Sequence, residues 1–292
     1  MDAALAASYE ECKRLNSLHG KTYYLATLLL PKNKRPYVHA LYGFARYADE
    51  IVDDLASTLS PAEKAEALRS WSSGVLADLK AGTSTDHIGR ALVDTARKFD
   101  IPHQHFVDFL HSMEMDLTIT QYQAYEDLLE YVYGSAAVIG LEMVPILGYS
   151  DQRAYEAAKK LGIAFQLANF IRDVAEDLDR GRVYLPLQEL AQFGVDRAML
   201  ERRILTPEII AALKFQIARV RQLQREADIG IAYLDKVSRP CIRAASELYC
   251  GIVDEVEAIG YDIFNKRAKT STARRARVAG AAYIQAIAAR IG

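Results

Sequence analysis

The chain has 292 residues, 51% hydrophobic and 25% charged, which is enough for one large core or two smaller ones and excludes a disordered chain. Its 36 Lys/Arg against 38 Asp/Glu give a formal net charge of −2, which argues against nucleic acid as the main partner. The three cysteines, Cys12, Cys241 and Cys250, are odd in number and lack metal-ligand spacing, so a reducing, cytoplasmic compartment is expected.

The opening stretch "MDAALAASYEECKR" has an early acid and no basic n-region, so no secretory signal is expected. "LATLLLP" is too short to cross a bilayer, and "GLEMVPILG" is broken by Glu142 and Pro145, so no membrane span is expected either. Contact with a membrane surface stays open. Between the prolines, apolar residues recur three and four apart in an Ala-, Leu- and Glu-rich background. Helices are predicted at about 5–18, 21–30, 34–55, 61–80, 86–99, 103–121, 126–147, 151–178, 186–192, 196–203, 207–235, 239–259 and 272–290. Strand signals are nearly absent, and neither a linker nor a glycine-rich phosphate loop interrupts the pattern. A single all-α domain over residues 1–292 is expected.

Two of these helices carry a matching polar stripe. In "YGFARYADEIVDD", Tyr42, Arg46, Asp49 and Asp53 are spaced four, three and four, so they share one face. Alone, this reads equally well as a solvated face with an i,i+3 ion pair, contributing a few tenths of a kcal/mol. The second stretch, "QLANFIRDVAEDLDRGRVYLP", places Gln166, Asn169, Asp173 and Asp177 three, four and four apart. Both stripes sit among apolar residues, and buried charge is costly unless it is paired or metal-bound. Set face to face, two D-x-x-x-D pairs would bring four carboxylates to one cavity. Such a set suits Mg²⁺ (or Mn²⁺) shared with diphosphate oxygens, with Arg46 and Arg172 adding positive charge. A pure oxygen set without His or Cys disfavours a transition metal. An allylic cation left behind by diphosphate needs a dry pocket with aromatic faces, and tyrosines and phenylalanines stand near both stripes.

On these two motifs, with "HGKTYYLATLLLP" and "YVYGSAAVIG", the chain resembles the squalene/phytoene synthases from about Tyr9 to Arg277, most of all the bacterial phytoene synthases. The resemblance implies an isoprenoid-synthase helical bundle around a central cavity. It implies Mg²⁺ at Asp49, Asp53, Asp173 and Asp177, with weaker claims for Glu50 and Glu176. Tyr42, Arg46, Tyr131, Arg172 and Tyr249 match catalytic positions. Gly20, Lys21, Tyr23, Gln166, Asn169, Tyr184 and Arg267 match substrate-binding ones, together with Tyr42, Arg46 and Arg172. The implied reaction joins two geranylgeranyl diphosphates head to head into phytoene through a cyclopropyl diphosphate, with no NADPH. A C30 relative using farnesyl diphosphate is the alternative, and an inactive helical scaffold for other carotenoid-pathway enzymes is a third reading. Ala137, Gly20 and Tyr23 depart from the family's usual residues, which bears on pocket length and preferred substrate. The basic segment "NKRAKTSTARRAR" reads as a solvated face or as peripheral contact with anionic lipid on the inner side of a membrane. The histidines, Cys241 and Cys250 are read as structural.

Overall fold

The computed structural model describes residues 2–53 and 59–291, apart from the side chains of Asp53 and Pro61; Asp54 lies outside them. Helices follow one another as α1 (Ala3–His19), α2 (Lys21–Thr27), α3 (Arg35–Asp53), α4 (Pro61–Ala81), α5 (His87–Phe99), α6 (His103–Thr118), α7 (Tyr125–Val132) and α8 (Val138–Leu147). Then come α9 (Arg153–Arg172), α10 (Val174–Asp179), α11 (Leu187–Ala191), α12 (Arg197–Glu201), α13 (Pro207–Gly230), α14 (Arg239–Cys250), α15 (Ile252–Ala258) and α16 (Thr272–Ile291). Among the described residues β pairing is limited to two isolated bridges, Gln121 with Val183 and Tyr149 with Leu234.

The starts of the helices follow local chemistry. Ser60 and Glu63 close a reciprocal capping box at α4, and Thr206 caps α13 ahead of Pro207. Three predicted helices are interrupted, each for a visible reason. Residues 126–147 contain a π turn, Tyr133–Ala137, between α7 and α8. There Gly134 presses on α6 so closely that a Cβ would lie 2.1 Å from the Asp108 carbonyl oxygen. The Ser112 hydroxyl meanwhile donates to the Tyr131 carbonyl at 2.9 Å. Residues 239–259 break at Gly251, where a Cβ would meet the Arg274 guanidinium at 2.2 Å. Residues 151–178 break at Asp173, which has left helical geometry at φ −99°, ψ 13°.

Two apolar clusters make the core. One gathers α1, α3, α5 and α6 around Phe44, which packs against Phe106 and Phe109. The other gathers α7, α9 and α13 around Leu128, Ile171 and Leu213. Helix α9 runs between them, packed on α8, α13 and the π turn. The stretch Tyr125–Leu147 is long and apolar enough on average to cross a bilayer, contrary to the sequence expectation. Val132, Val138 and Val144 within it are buried in these clusters, as befits a core helix.

Glu142 on α8 is 2% exposed and its Oε1 has no hydrogen-bond partner. Burial holds its carboxyl well above the usual carboxylate range. The native state therefore favours the protonated acid. Its contribution is complete below the ordinary value of 4.5 and is lost as pH rises above it. Glu142→Met is expected to raise stability by about 1–2 kcal/mol at pH 8 and by little at pH 4. Thermal unfolding at the two pH values measures this; a less stable variant at pH 8 would reveal a native partner for the carboxylate.

Candidate active site

A cavity of about 250 Å³ runs alongside α9, from Gln166 and Asn169 at one end to Ala154 at the other. Its wall is almost wholly apolar, with Ala157, Ala158, Gly140, Met143, Leu30 and Leu234 among its residues. Small side chains on α9 and α13 leave the space: a Cβ on Gly230 would lie 2.0 Å from that of Ala157. Tyr23, Phe165 and Tyr249 present rings to it, and Phe165 stacks on Tyr249 at 4.9 Å. Tyr42 stacks on Tyr23 at 5.6 Å.

A second recess adjoins this one, sharing Tyr249. Gly20, Lys21, Arg172, Arg267, Lys269 and Arg275 line it, with no acid in its wall. That composition suits a polyanion, and the shared tyrosine places an anionic head beside an apolar cavity. In the sequence, Lys269 and Arg275 are marked only by membership of the basic segment 265–277. Their place in this recess depends on how the segment after α15 folds back, which spacing does not encode. Gly20 has a steric reason here: a Cβ would lie 2.6 Å from the Tyr42 ring, so glycine lets that ring sit against the α1–α2 junction.

The first acidic stripe lies on α3 as expected. Arg46 Nη1 donates to Asp49 Oδ2 at 2.9 Å, and Arg46 Nε stands 3.8 Å from Glu50 without a hydrogen-bond partner. Asp49 is half exposed, so this stripe is less buried than expected. The Asp53 side chain lies outside the described residues. The second stripe turns the corner between α9 and α10. Asp173 is a paired carboxylate: Arg172 Nε donates to it at 2.7 Å and Arg267 Nη2 at 3.0 Å. Arg267 also reaches Glu176 at 3.1 Å. Asp177 is buried, and burial, with Asp173 and Asp116 nearby, pushes its carboxyl up to about 8. Tyr249, raised by burial to about 12, also feels Tyr42 from α3 and Arg172 from α9, linking the two stripes electrostatically.

The residues present fit a hard divalent cation shared with a ligand. Among the described residues no group of three or more His, Cys, Asp or Glu is placed to hold a metal ion by itself, so a cation here would depend on oxygens from its ligand and water. An open, all-carboxylate set is what Mg²⁺ uses when substrate oxygens and water complete its shell. Asn169 Oδ1, buried at the cavity mouth, lacks a hydrogen-bond partner, an acceptor left over for such a guest.

Tyr131 and Tyr184 are not in the wall of the apolar cavity. They form a separate cluster with an acid that sequence reasoning missed, Asp116 on α6. Tyr131 donates to Asp116 Oδ2 and Tyr184 to Oδ1, each at 2.7 Å, while Arg182 Nη2 donates to the Asp116 carbonyl at 2.8 Å. Tyr184 stacks on Phe170 at 4.2 Å and on Tyr131 at 5.5 Å. Burial keeps both phenols neutral donors. Asp116 belongs to no paired motif; only an acid amid the apolar "SMEMDLTIT" could have flagged it.

The model of the family described as Squalene/phytoene synthase matches residues 17–274 of the chain. The chain belongs to the squalene/phytoene synthase family. Phytoene synthase 2, chloroplastic, of Oryza sativa subsp. japonica is 37% identical over 98% of this chain and 72% of its own length. The 15-cis-phytoene synthase of Synechococcus elongatus is 35% identical over 94% of this chain and 91% of its own. Among solved structures, a dehydrosqualene synthase in complex with ligand superposes with a TM-score of 0.87 at 26% identity, covering 97% of this chain and 98% of its own. A squalene synthase, HpnC, from Alicyclobacillus acidocaldarius has a TM-score of 0.81 at 24% identity, covering 89% and 97%, and shares the fold. The chain is thus an all-α enzyme of prenyltransferase type.

Proposed function

We propose that this enzyme condenses two geranylgeranyl diphosphates head to head into phytoene, through a cyclopropyl diphosphate. The observation that carries the reading is the joining, at Tyr249, of a cationic recess with no acid in its wall to an almost wholly apolar cavity. Relatives named phytoene synthase at 35–38% identity favour the C20 substrate over the C15 one.

Asp49, Asp53, Asp173 and Asp177, flanked by Glu50 and Glu176, would hold Mg²⁺ or Mn²⁺. When bound, the cation neutralises charge on the departing diphosphate. Lys21, Arg46, Arg172 and Arg267 act on the same charge from fixed positions, where preorganised donors need little reorganisation. The wall around Ala157, Met143 and Leu234 keeps water from the allylic cation, while Tyr23, Phe165 and Tyr249 offer ring faces to it and Tyr42 backs Tyr23. Each substrate loses diphosphate and each half of the reaction releases one proton, so two C20 chains give the C40 triene centre without a hydride donor.

The test is product identification after incubation with Mg²⁺ and either geranylgeranyl or farnesyl diphosphate, with and without NADPH. A C40 hydrocarbon formed without NADPH is expected. A C30 product from farnesyl diphosphate, with none from the longer substrate, would assign the chain to the C30 branch instead. No diphosphate release from either would favour the scaffold.

A further inference from the structure

The residues lining the apolar cavity fall in one order on each element around it. Going away from the recess they run from Tyr23 to Leu30 on α2, from Ile139 to Leu147 on α8, and backwards from Asn169 to Ala154 on α9. The run on α9 alone climbs about 22 Å. From Tyr249 at the recess, the chain traced back through Cys241 reaches Leu234. The end remote from the recess is therefore closed by Leu30, Leu147 and Leu234, all at most 5% exposed. These leucines come from three separate places: the turn after α2, the last residue of α8 and the turn before α14.

One carbonyl ties the three together. The Leu147 backbone oxygen is among those a helix end leaves without an intrahelical partner. Ser238 Oγ donates to it at 2.6 Å, and Lys34 Nζ, arriving from the turn after α2, donates to it as well. Lys34 also reaches Asp235 Oδ2 at 3.0 Å, and the Asp235 N–H donates to the Gly148 carbonyl at 2.8 Å. Gly148, at φ 73°, makes room for this, since a Cβ there would lie 2.0 Å from Asp235 Oδ2. The parts of this clasp are unequal. Asp235 is half exposed, so its pairing with Lys34 is screened and contributes little. Ser238 is fully buried, and Lys34 brings a full charge to the negative end of α8.

We propose that Lys34 and Ser238 are positioning residues that determine chain-length specificity. By pinning the Leu147 carbonyl they hold Leu30, Leu147 and Leu234 as a stop, and this stop limits the prenyl chain the cavity takes. A held apolar wall rejects a longer guest because overfilling forces packed side chains off their rotamers. Neither positioning residue touches substrate. The inference rests on the proposed function in treating the cavity as the site of the prenyl chain.

The experiment measures Kd for unreactive C15, C20 and C25 prenyl thiolodiphosphates with Mg²⁺. The readout is the ratio of affinities between the length wild type binds best and the chain one isoprene unit longer. Lys34→Met and Ser238→Ala should each shift that ratio at least fivefold toward the longer chain, and Leu234→Ala at least tenfold. Lys34→Arg should restore the wild-type ratio. A general loss of fold weakens all lengths together and leaves the ratio alone, so the ratio separates positioning from stability. A shift in Leu234→Ala without one in Lys34→Met and Ser238→Ala would overturn the clasp, and no shift in any variant would overturn the stop. A wild type that binds C15 best would count against the C20 reaction, while the shift between variants would still decide this inference.

Discussion

Asp173→Asn is expected to lower turnover about a thousandfold while the protein stays folded. Asparagine keeps the shape of the side chain and can still accept from Arg172 and Arg267, so the corner between α9 and α10 persists. What it loses is the negative charge that would hold a divalent cation against the diphosphate. The structure changes the argument behind this expectation. Asp173 is already shared by two arginines, so alanine there would strand cations from two elements and confuse stability with catalysis. Diphosphate release with saturating Mg²⁺ measures the effect, and circular dichroism confirms the fold. A variant within fivefold of wild type would remove the metal reading.

Asp116→Ala should produce the largest loss of stability, about 3 kcal/mol. Its carboxylate accepts from Tyr131 and Tyr184 and lies where α6, α7 and the Arg182 loop meet. Removing it leaves two buried phenols without acceptors, whereas Tyr131→Phe removes one donor and should cost about 1 kcal/mol. Urea unfolding of the single and double variants forms a cycle. Coupling between the positions is expected because they share one network. Simple additivity would show that Asp116 is satisfied elsewhere.

The all-helical architecture was legible because the 3.6-residue apolar rhythm dominates almost every segment, and caps such as Ser60–Glu63 announce its punctuation. The acid stripes were legible because helical spacing puts Asp49 beside Arg46, and Asp173 and Asp177 one turn apart. Their ion pairing was not: Arg267 reaches Asp173 across 94 positions, a contact made by tertiary folding alone. The same holds for the clustering of Tyr131 with Tyr184, which local spacing could not distinguish from a place in the cavity wall. Breaks at Gly251 and Asp173 also meet partners brought from afar, Arg274 in one case and Arg267 in the other.

The π turn at Tyr133–Ala137 acts as a phase shift. One extra residue in the coil rotates everything before it by about 100° relative to everything after it. Tyr131 therefore addresses the Asp116 cluster while Ile139, Gly140 and Met143 address the hydrocarbon space, from what is otherwise one continuous rod. Deleting a single residue there would let the rod relax to a regular helix, and its two halves could no longer serve both compartments at once.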